Sequence, residues 1–369
     1  MTLIKITRDV LLKPLQAVSG IIERRHTLPI LSNVLLVRSG VRIDLVATDI
    51  EIEITASATT DSAGEDKAIT VGARKFLDIL RALPEGSEVS LAMQEKRLQM
   101  KSGKSRFNLQ TLPSEDFPRL AAAEGGATKF EVPQKLLKGL IGLVQYAMAQ
   151  QDIRYYLNGL LMVIEDGQLK LIATDGHRLA YAAKGVGSGD LERQEVILPR
   201  KTVLELAKLL GDTEDPVAIE LSASQARFKF GEVLLVSKLV DGKFPDYTRV
   251  IPQNQPRGLR LDRSELLQSL QRASILTSDK FRGVRWVLSP GTLKIICSNT
   301  EQEEAQEELD VRYEGDTLDI GFNVGYLLDV LNNVEVKEID CGLGDSNSSA
   351  LITIPGRDDF KYVVMPMRI

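Results

Sequence analysis

The sequence predicts an α+β protein assembled from three copies of one unit. Three observations lead there: the length, an internal period, and two helical stretches set among short alternating runs in every period. At 369 residues the chain exceeds what one hydrophobic core usually serves, so two or three domains are expected. Hydrophobic residues make up 43% of it, enough for several cores. The charged 26% are spread without long single-sign blocks, which argues against a disordered acidic or basic tail.

The period is close to 125 residues and shows in three series. Pro29-Ile30-Leu31-Ser32-Asn33-Val34-Leu35-Leu36 returns as Tyr155-Tyr156-Leu157-Asn158-Gly159-Leu160-Leu161-Met162 and as Lys280-Phe281-Arg282-Gly283-Val284-Arg285-Trp286-Val287. Thr48-Asp49-Ile50-Glu51 returns as Thr174-Asp175-Gly176-His177 and as Asn299-Thr300-Glu301-Gln302, each after a strand-like apolar stretch. The third series is helical: Gly72 to Leu80, Leu198 to Leu206 and Phe322 to Val330.

Each unit opens with an amphipathic helix, Val10 to Val18, Lys135 to Val144 and Ser264 to Ala273, whose leucines recur on one face. Each closes on a proline segment: Asp116-Phe117-Pro118, Lys243-Phe244-Pro245-Asp246-Tyr247 and Val364-Met365-Pro366-Met367. Runs such as Glu53 to Ala58, Val89 to Met93 and Ala218 to Ser222, bounded by Gly, Asp and Ser turns, read as antiparallel strands. Linkers are expected at Ala121 to Thr128 and Pro252 to Gly258, giving domains 1–124, 125–252 and 253–369.

No run approaches the roughly 18 to 20 apolar residues needed to span a bilayer, and the N-terminus lacks the marks of a signal peptide. A soluble, cytoplasmic protein is expected. Cys297 and Cys341, far apart in strand-like contexts, read as buried free thiols. The net charge of −5 weighs against a nucleic-acid partner unless the charge is unevenly distributed, as in a ring that is basic inside and acidic outside.

Several long motifs, in order, resemble a known family, the β subunit of bacterial DNA polymerase III, a sliding clamp. They include Leu11-Leu12-Lys13-Pro14-Leu15, Thr27-Leu28-Pro29-Ile30-Leu31, Asp152 to Gly159, Ala173 to Ala180, Lys238 to Tyr247, Lys280 to Val284 and Tyr362 to Ile369. Ile369 stands where the family commonly has Leu. The resemblance spans the whole chain. It implies three DNA-clamp domains per chain and a ring closed by head-to-tail dimerisation, with helices lining a central pore and antiparallel sheets outside. Scaling agrees: a compact 120-residue domain spans roughly 35 Å, so three enclose almost no hole, whereas six leave an opening about 35 Å wide for a duplex about 20 Å across.

What the resemblance implies for function is a non-catalytic processivity factor without cofactor or metal. It would encircle duplex DNA without sequence specificity and tether the polymerase III catalytic subunit, the clamp loader, and other polymerases and repair proteins through short linear peptides. The implied peptide cleft has as walls Leu157, Thr174, Gly176, His177, Arg178, Leu179, Pro245, Arg249, Val250, Val363, Val364, Met365, Pro366, Met367 and Arg368, with Asn323, Tyr326 and Ser349 at the rim. Methionines and prolines suit an apolar pocket, and Arg178, Arg249 and Arg368 are read as anchors for polar or acidic flanks. By itself, Val363 to Met367 also fits a buried closing strand.

The two histidines are His26 and His177, and Asp175, His177 and Arg178 together could suggest an acid–base site. No Gly-x-Ser-x-Gly turn, metal-ligand spacing or Walker-type loop accompanies them, so a turn histidine or a wall of a binding site competes with that reading. Single basic residues usually mark solvated faces. Their recurrence at equivalent repeat positions points to a shared surface, and the resemblance places Arg25, Arg74, Gln151, Tyr155, Tyr156, Arg200 and Lys201 at the pore near DNA. It also implies a subunit joint in which Phe107 and Leu109, with Lys96, Arg97, Lys104 and Arg106 nearby, meet Ile275, Leu276 and an acidic cluster, Glu301, Glu303, Glu304, Glu307 and Glu308. Two rival readings are a three-domain hydrolase or transferase using Asp175 and His177, and a repeat scaffold that displays peptide sites without DNA.

Overall fold

The computed structural model describes residues 2–23, 28–122, 125–187, 191–278 and 282–368. The first third of the chain forms β1 (Thr2–Thr7), α1 (Arg8–Val18), β2 (Asn33–Thr48), β3 (Ile52–Gly72), α2 (Ala73–Ala82), β4 (Glu88–Gln94), β5 (Arg97–Ser102) and β6 (Ser105–Gln110). The middle third forms β7 (Thr128–Pro133), α3 (Gln134–Val144), β8 (Gly159–Glu165), β9 (Gln168–Thr174), β10 (Arg178–Gly185), β11 (Gln194–Pro199), α4 (Arg200–Leu209), β12 (Pro216–Leu221), β13 (Gln225–Phe230) and β14 (Val233–Lys238). The last third forms a short α5 (Tyr247–Val250), β15 (Arg257–Asp262), α6 (Arg263–Ala273), β16 (Gly283–Ser289), β17 (Thr292–Ser298), β18 (Glu304–Asp310), β19 (Leu318–Asn323), α7 (Val324–Asn333), β20 (Glu338–Leu343), β21 (Ala350–Ile354) and β22 (Arg357–Val364).

Every third thus repeats strand, helix, strands, helix, three strands. In the first repeat the strands before the second helix run together as two long ones of 16 and 21 residues, with register shifts around Gly40 at φ +60. Helix starts follow local chemistry. Asp262 accepts the N–H groups of Ser264 and Glu265 to cap α6, and Asn323 accepts that of Gly325 to cap α7. In α1 the apolar face Leu11, Leu12, Leu15 and Val18 is buried, and it tolerates Pro14 inside the helix because packing outweighs the lost hydrogen bond.

The chain divides into two compact units, Met1–Lys138 with Lys201–Leu239, and Gly139–Arg200 with Val240–Ile369. The first unit holds a four-stranded sheet, β1-β4-β5-β6, and a six-stranded one, β2-β3-β14-β13-β12-β7. The second holds an eight-stranded sheet, β11-β8-β9-β10-β22-β21-β20-β15, and a four-stranded one, β18-β17-β16-β19. The middle repeat is therefore shared, with β7 and β12 to β14 in the first unit and β8 to β11 in the second.

Repeats join by antiparallel pairing of strand edges. Within the first unit β14 pairs with β3, Val236 opposite Glu53; within the second β22 pairs with β10, Val363 opposite Leu179. The equivalence extends to single bonds: the Lys238 N–H donates to the Glu51 carbonyl at 2.9 Å, and the Met365 N–H to the His177 carbonyl at 2.9 Å. The cores are aliphatic with a few large aromatics, such as Phe76 in the first unit and Trp286 packed edge-on to Phe322 in the second. Each fully buried side chain of this kind contributes about 1.5–3 kcal/mol. Cys297 and Cys341 are buried free thiols, and burial pushes the Cys341 pKa up to about 12.

The stretch read as the first linker is fastened where it begins. Arg119 donates two hydrogen bonds of 3.0 Å to the buried Glu53 carboxylate, the Leu120 N–H a third, and Gln225 donates to the Ala121 carbonyl at 2.8 Å. The second linker is shorter than expected, because β15 already begins at Arg257.

The Thr-Asp series is a turn chemistry. Thr48 accepts the Ile50 N–H and donates to the Ile52 carbonyl, while Asp49 accepts the N–H groups of Glu51 and Ile52. Ile50 consequently sits at φ +70, where its second-repeat counterpart is Gly176 at φ +91. A β-branched residue is strained there. We expect Ile50→Gly to raise the stability of the protein by about 1 kcal/mol, read as a higher thermal midpoint.

Candidate functional site

The second-repeat turn is built in the same way as the first. Thr174 donates to the Arg178 carbonyl at 2.5 Å and accepts the Gly176 N–H at 3.1 Å. Asp175 Oδ1 accepts the N–H groups of His177 and Arg178, at 2.9 and 3.1 Å, and Oδ2 accepts Arg178 Nε at 3.1 Å. The carboxylate is spent on the turn and on Arg178, which removes the basis for an Asp175–His177 acid–base pair. His177 itself is exposed.

Behind the turn lies an apolar cluster of Leu161, Val163, Ile172, Leu179, Ile197, Phe244 and Val363, flanked by Tyr156, Tyr247, Ile251 and Leu351. Of the residues expected as cleft walls, Leu157, Thr174, Leu179, Val363 and Val364 are buried and act as support. The surface carries Gly176, His177, Pro245, Arg249, Val250, Met365, Met367 and Arg368, with Asn323, Tyr326, Ser349 and Pro366 partly exposed. Val250, Met365 and Met367 are the large apolar side chains exposed in this set, at 44, 47 and 39%. Beyond β22 the chain stays fastened: the Met365 N–H is held by His177, and the Met367 N–H donates to the Gly321 carbonyl at 2.9 Å.

Arg178 departs from the expectation of an anchor for ligand. Its side chain is 9% exposed, and its donors go to Asp175, to Asp329 at 2.5 Å and to the Tyr146 carbonyl at 2.6 Å. The guanidinium lies 4.4 Å from the Tyr326 ring centroid. Burial works against its charge, but Tyr362 and Asp329 outweigh burial and leave its pKa raised. Sequence reasoning missed Asp329 and Tyr146. An acid recurs at the sixth position of the second helix of each repeat, Asp78, Glu205 and Asp329, and that recurrence was the available signal.

The residues expected near DNA differ in availability. Arg74 and Gln151 are exposed, Gln151 in the left-handed region at φ +56, and Tyr155 is 57% exposed. Tyr156 is partly buried against the apolar cluster and meets Tyr155 edge-on at 5.9 Å. Arg200 is partly buried and donates to the Met148 carbonyl at 3.2 Å, its pKa lowered by burial and then by Arg178. Lys201 is ion-paired with Glu23 at 3.0 Å and with Asp49, so it is less available than its sequence position suggested. Arg25 and His26 lie outside the described residues. The loop around Gln151 is ordered by Arg154, which pairs with Asp152 and donates to the Asp175 carbonyl at 3.2 Å. That pairing lowers the Asp152 pKa to about 2.

The expected subunit joint falls on two sheet edges. β6 ends the first unit's four-stranded sheet and β18 that of the second. On and beside β6, Lys96, Arg97, Lys104 and Arg106 are exposed and Phe107 is partly buried, whereas Leu109 packs into its own sheet. Ile275 is 77% exposed, Leu276 partly so, and Glu301, Glu303 and Glu304 are exposed. Arg272 holds Glu307 through Nε at 2.9 Å, which brings β18 beside the end of α6 next to Ile275. Glu308 pairs with Lys294 at 3.5 Å. Among the described residues no cluster of three or more His, Cys, Asp or Glu could hold a metal ion, and no helix is long and apolar enough to cross a membrane.

Family models of the DNA polymerase III beta subunit match the chain three times: the N-terminal domain at residues 2–121, the central domain at 131–246 and the C-terminal domain at 248–368. The chain belongs to the DNA polymerase III beta subunit family. It is 47% identical over 364 residues to the beta sliding clamp of Pseudomonas aeruginosa and 45% identical to that of Escherichia coli K12, covering 99% of each chain in both cases. Its structure resembles that of the Pseudomonas aeruginosa clamp bound to griselimycin, with a TM-score of 0.96 at 47% identity and 100% of both chains covered. It also resembles the Caulobacter crescentus sliding clamp, with a TM-score of 0.92 at 37% identity and 100% of both chains covered. Membership in the family accounts for the three α+β repeats.

The turn of the second repeat makes a direct test of the site's geometry. A Cβ on Gly176 would stand 2.9 Å from the Arg154 guanidinium, at a φ of +91 that L residues rarely adopt. Gly176→Ala is expected to cost about 1–2 kcal/mol in a denaturant titration and to shift the amide resonances of Arg154 and Asp175.

Proposed function

We propose that the chain is a sliding clamp: two copies close head to tail around duplex DNA, and each holds polymerases and repair proteins by an apolar cleft for short linear peptides. What carries the reading, beyond the family, is the edge-pairing rule of the repeats. The last strand of the second repeat, β14, pairs with β3 of the first, and the last strand of the third, β22, pairs with β10 of the second. By the same rule β6, the last strand of the first repeat, needs the counterpart of β3 and β10. That counterpart is β18 of the third repeat, itself the last strand of its sheet. A second copy supplies it, and a heterologous contact used twice closes a ring.

Charge supports this assignment. Arg106 on β6 and Lys104 in the turn before it would face the acidic β18 of the other copy, and opposite charges favour correct pairing and orientation more than raw affinity. Phe107, Ile275 and Leu276 would supply the apolar centre, with Leu109 supporting the strand from within.

The cleft reading rests on Val250, Met365 and Met367 exposed beside a rigid turn, with Pro245 and Pro366 limiting alternative pairing. The exposed cations Arg249 and Arg368 suit acidic flanks. Contacts of Arg74, Gln151 and Tyr155 with phosphates would be salt-sensitive and indifferent to sequence, as sliding requires. Processivity then comes from enclosure, without catalysis, and the partners are those of a bacterial cytoplasm: the replicative polymerase, its clamp loader, and other polymerases and repair proteins.

The decisive experiment compares retention on circular and linear DNA after loading. The protein should stay on circles and run off linear molecules with open ends; equal loss from both would overturn enclosure. Deleting Met365 to Ile369 is expected to abolish peptide capture while sedimentation still reports a dimer. Changing Ile275 and Leu276 together to Asp should weaken the dimer on the order of 100-fold, because it places unpaired charge in an apolar contact. An unchanged sedimentation coefficient would reject that joint.

A further inference from the structure

We infer that Asp329, through Arg178, is a positioning residue for the peptide cleft, and that Arg178 takes no direct part in holding ligand charge. This rests on the cleft reading above. Arg178 opens β10, one residue after the exposed His177. Its side chain turns inward and joins four segments. Nε holds Asp175 in its own turn at 3.1 Å, one Nη holds the Tyr146 carbonyl at 2.6 Å, and the other holds Asp329 on α7 at 2.5 Å. The guanidinium also rests on the ring of Tyr326, whose carbonyl accepts the Tyr362 hydroxyl of β22 at 2.8 Å. The turn that displays Gly176 and His177 is thereby tied to α7 and to the strand that leads into Met365.

The chain contains its own control. At the first joint, Glu205 on α4 occupies the helix position of Asp329, Asp49 that of Asp175, and Ile52 that of Arg178. Among the described residues no arginine is bonded to Glu205 there; its Oε2 stands 3.6 Å from Lys208 Nζ, one turn along the same helix, so it makes no tie between the two edges of the joint. That joint is fastened instead by Lys201 with Asp49 and Glu23, and by Lys238 with Glu51 at 3.1 Å. The position of Met365 is taken there by Lys238, so the surface is ionic. The arginine staple accompanies the joint with exposed methionines and is absent from the other. An inward guanidinium leaves that surface apolar while holding its two edges in register, at the cost of burying one well-partnered charge.

The test measures griselimycin binding to the intact protein by calorimetry for Asp329→Asn, Asp329→Glu, Arg178→Lys, the Asp329→Asn/Arg178→Lys double variant and Met365→Ala. Asp329→Asn and Arg178→Lys should each weaken binding about tenfold, and the double variant no more than either alone, since both break one unit. Asp329→Glu, which keeps the carboxylate, should retain affinity within about threefold, and sedimentation should report the dimer throughout. Wild-type affinity in Asp329→Asn, additive losses in the double variant, or no rescue by Glu would overturn the assignment. If Met365→Ala also binds normally, the cleft reading fails. If Met365→Ala weakens binding and Asp329→Asn does not, the positioning role alone fails.

Discussion

A sheet edge cannot be left open without consequence, and the architecture of this protein follows from how its edges are closed. Backbone N–H and C=O groups along an unpaired strand are a template for another strand. The second and third repeats each end on a strand that finds its partner in the preceding repeat: β14 on β3 and β22 on β10, with the same register and the same flanking hydrogen bond. Domains defined by sequence and sheets defined by hydrogen bonding therefore do not coincide, and the middle repeat contributes to both compact units. The rule also specifies which edges stay unsatisfied within one chain, and so what a second copy has to provide.

The same repeated turn serves different ends at the two joints. In both, a threonine and an aspartate fold the chain back by accepting the N–H groups that follow. At the first joint the surroundings are charged. Glu53 is buried opposite Val236 and gripped by Arg119, and lysines pair across the seam. At the second joint Leu179 takes the place of Glu53 and Met365 that of Lys238, so the surface is apolar and adaptable. Repetition supplies the scaffold, and a few substitutions at equivalent positions decide which joint is closed by ion pairs and which leaves apolar side chains exposed.

The negative net charge ceases to be an objection to a DNA partner once charge is assigned by place. Much of the basic complement is already committed: Lys201 to Glu23 and Asp49, Arg178 to Asp175 and Asp329, Arg272 to Glu307. Arg74 and the loop bearing Gln151 and Tyr155 remain exposed, a modest set that suits weak, non-specific contact. A protein that holds DNA by enclosure needs no more than this.

Local pattern was enough to determine the three repeats, their two helices apiece, the strand runs, the Thr-Asp turns and the family. Hydrophobic periodicity and turn residues act over a few positions and are printed in the chain itself. Helix ends were legible to within about three residues, the largest shortfall falling at the C-terminal ends of α4 and α7. Tertiary structure alone decided which site residues face solvent. Leu157, Thr174, Leu179, Val363 and Leu109 looked like contact residues but are buried support, because burial depends on strands brought together from distant parts of the chain. It alone showed that Arg178 is consumed within the fold, since its partner Asp329 stands 151 residues away and no local spacing predicts that pair. It alone divided the middle repeat between two sheets, because hydrogen bonds between edges are long-range contacts that a one-dimensional pattern does not encode.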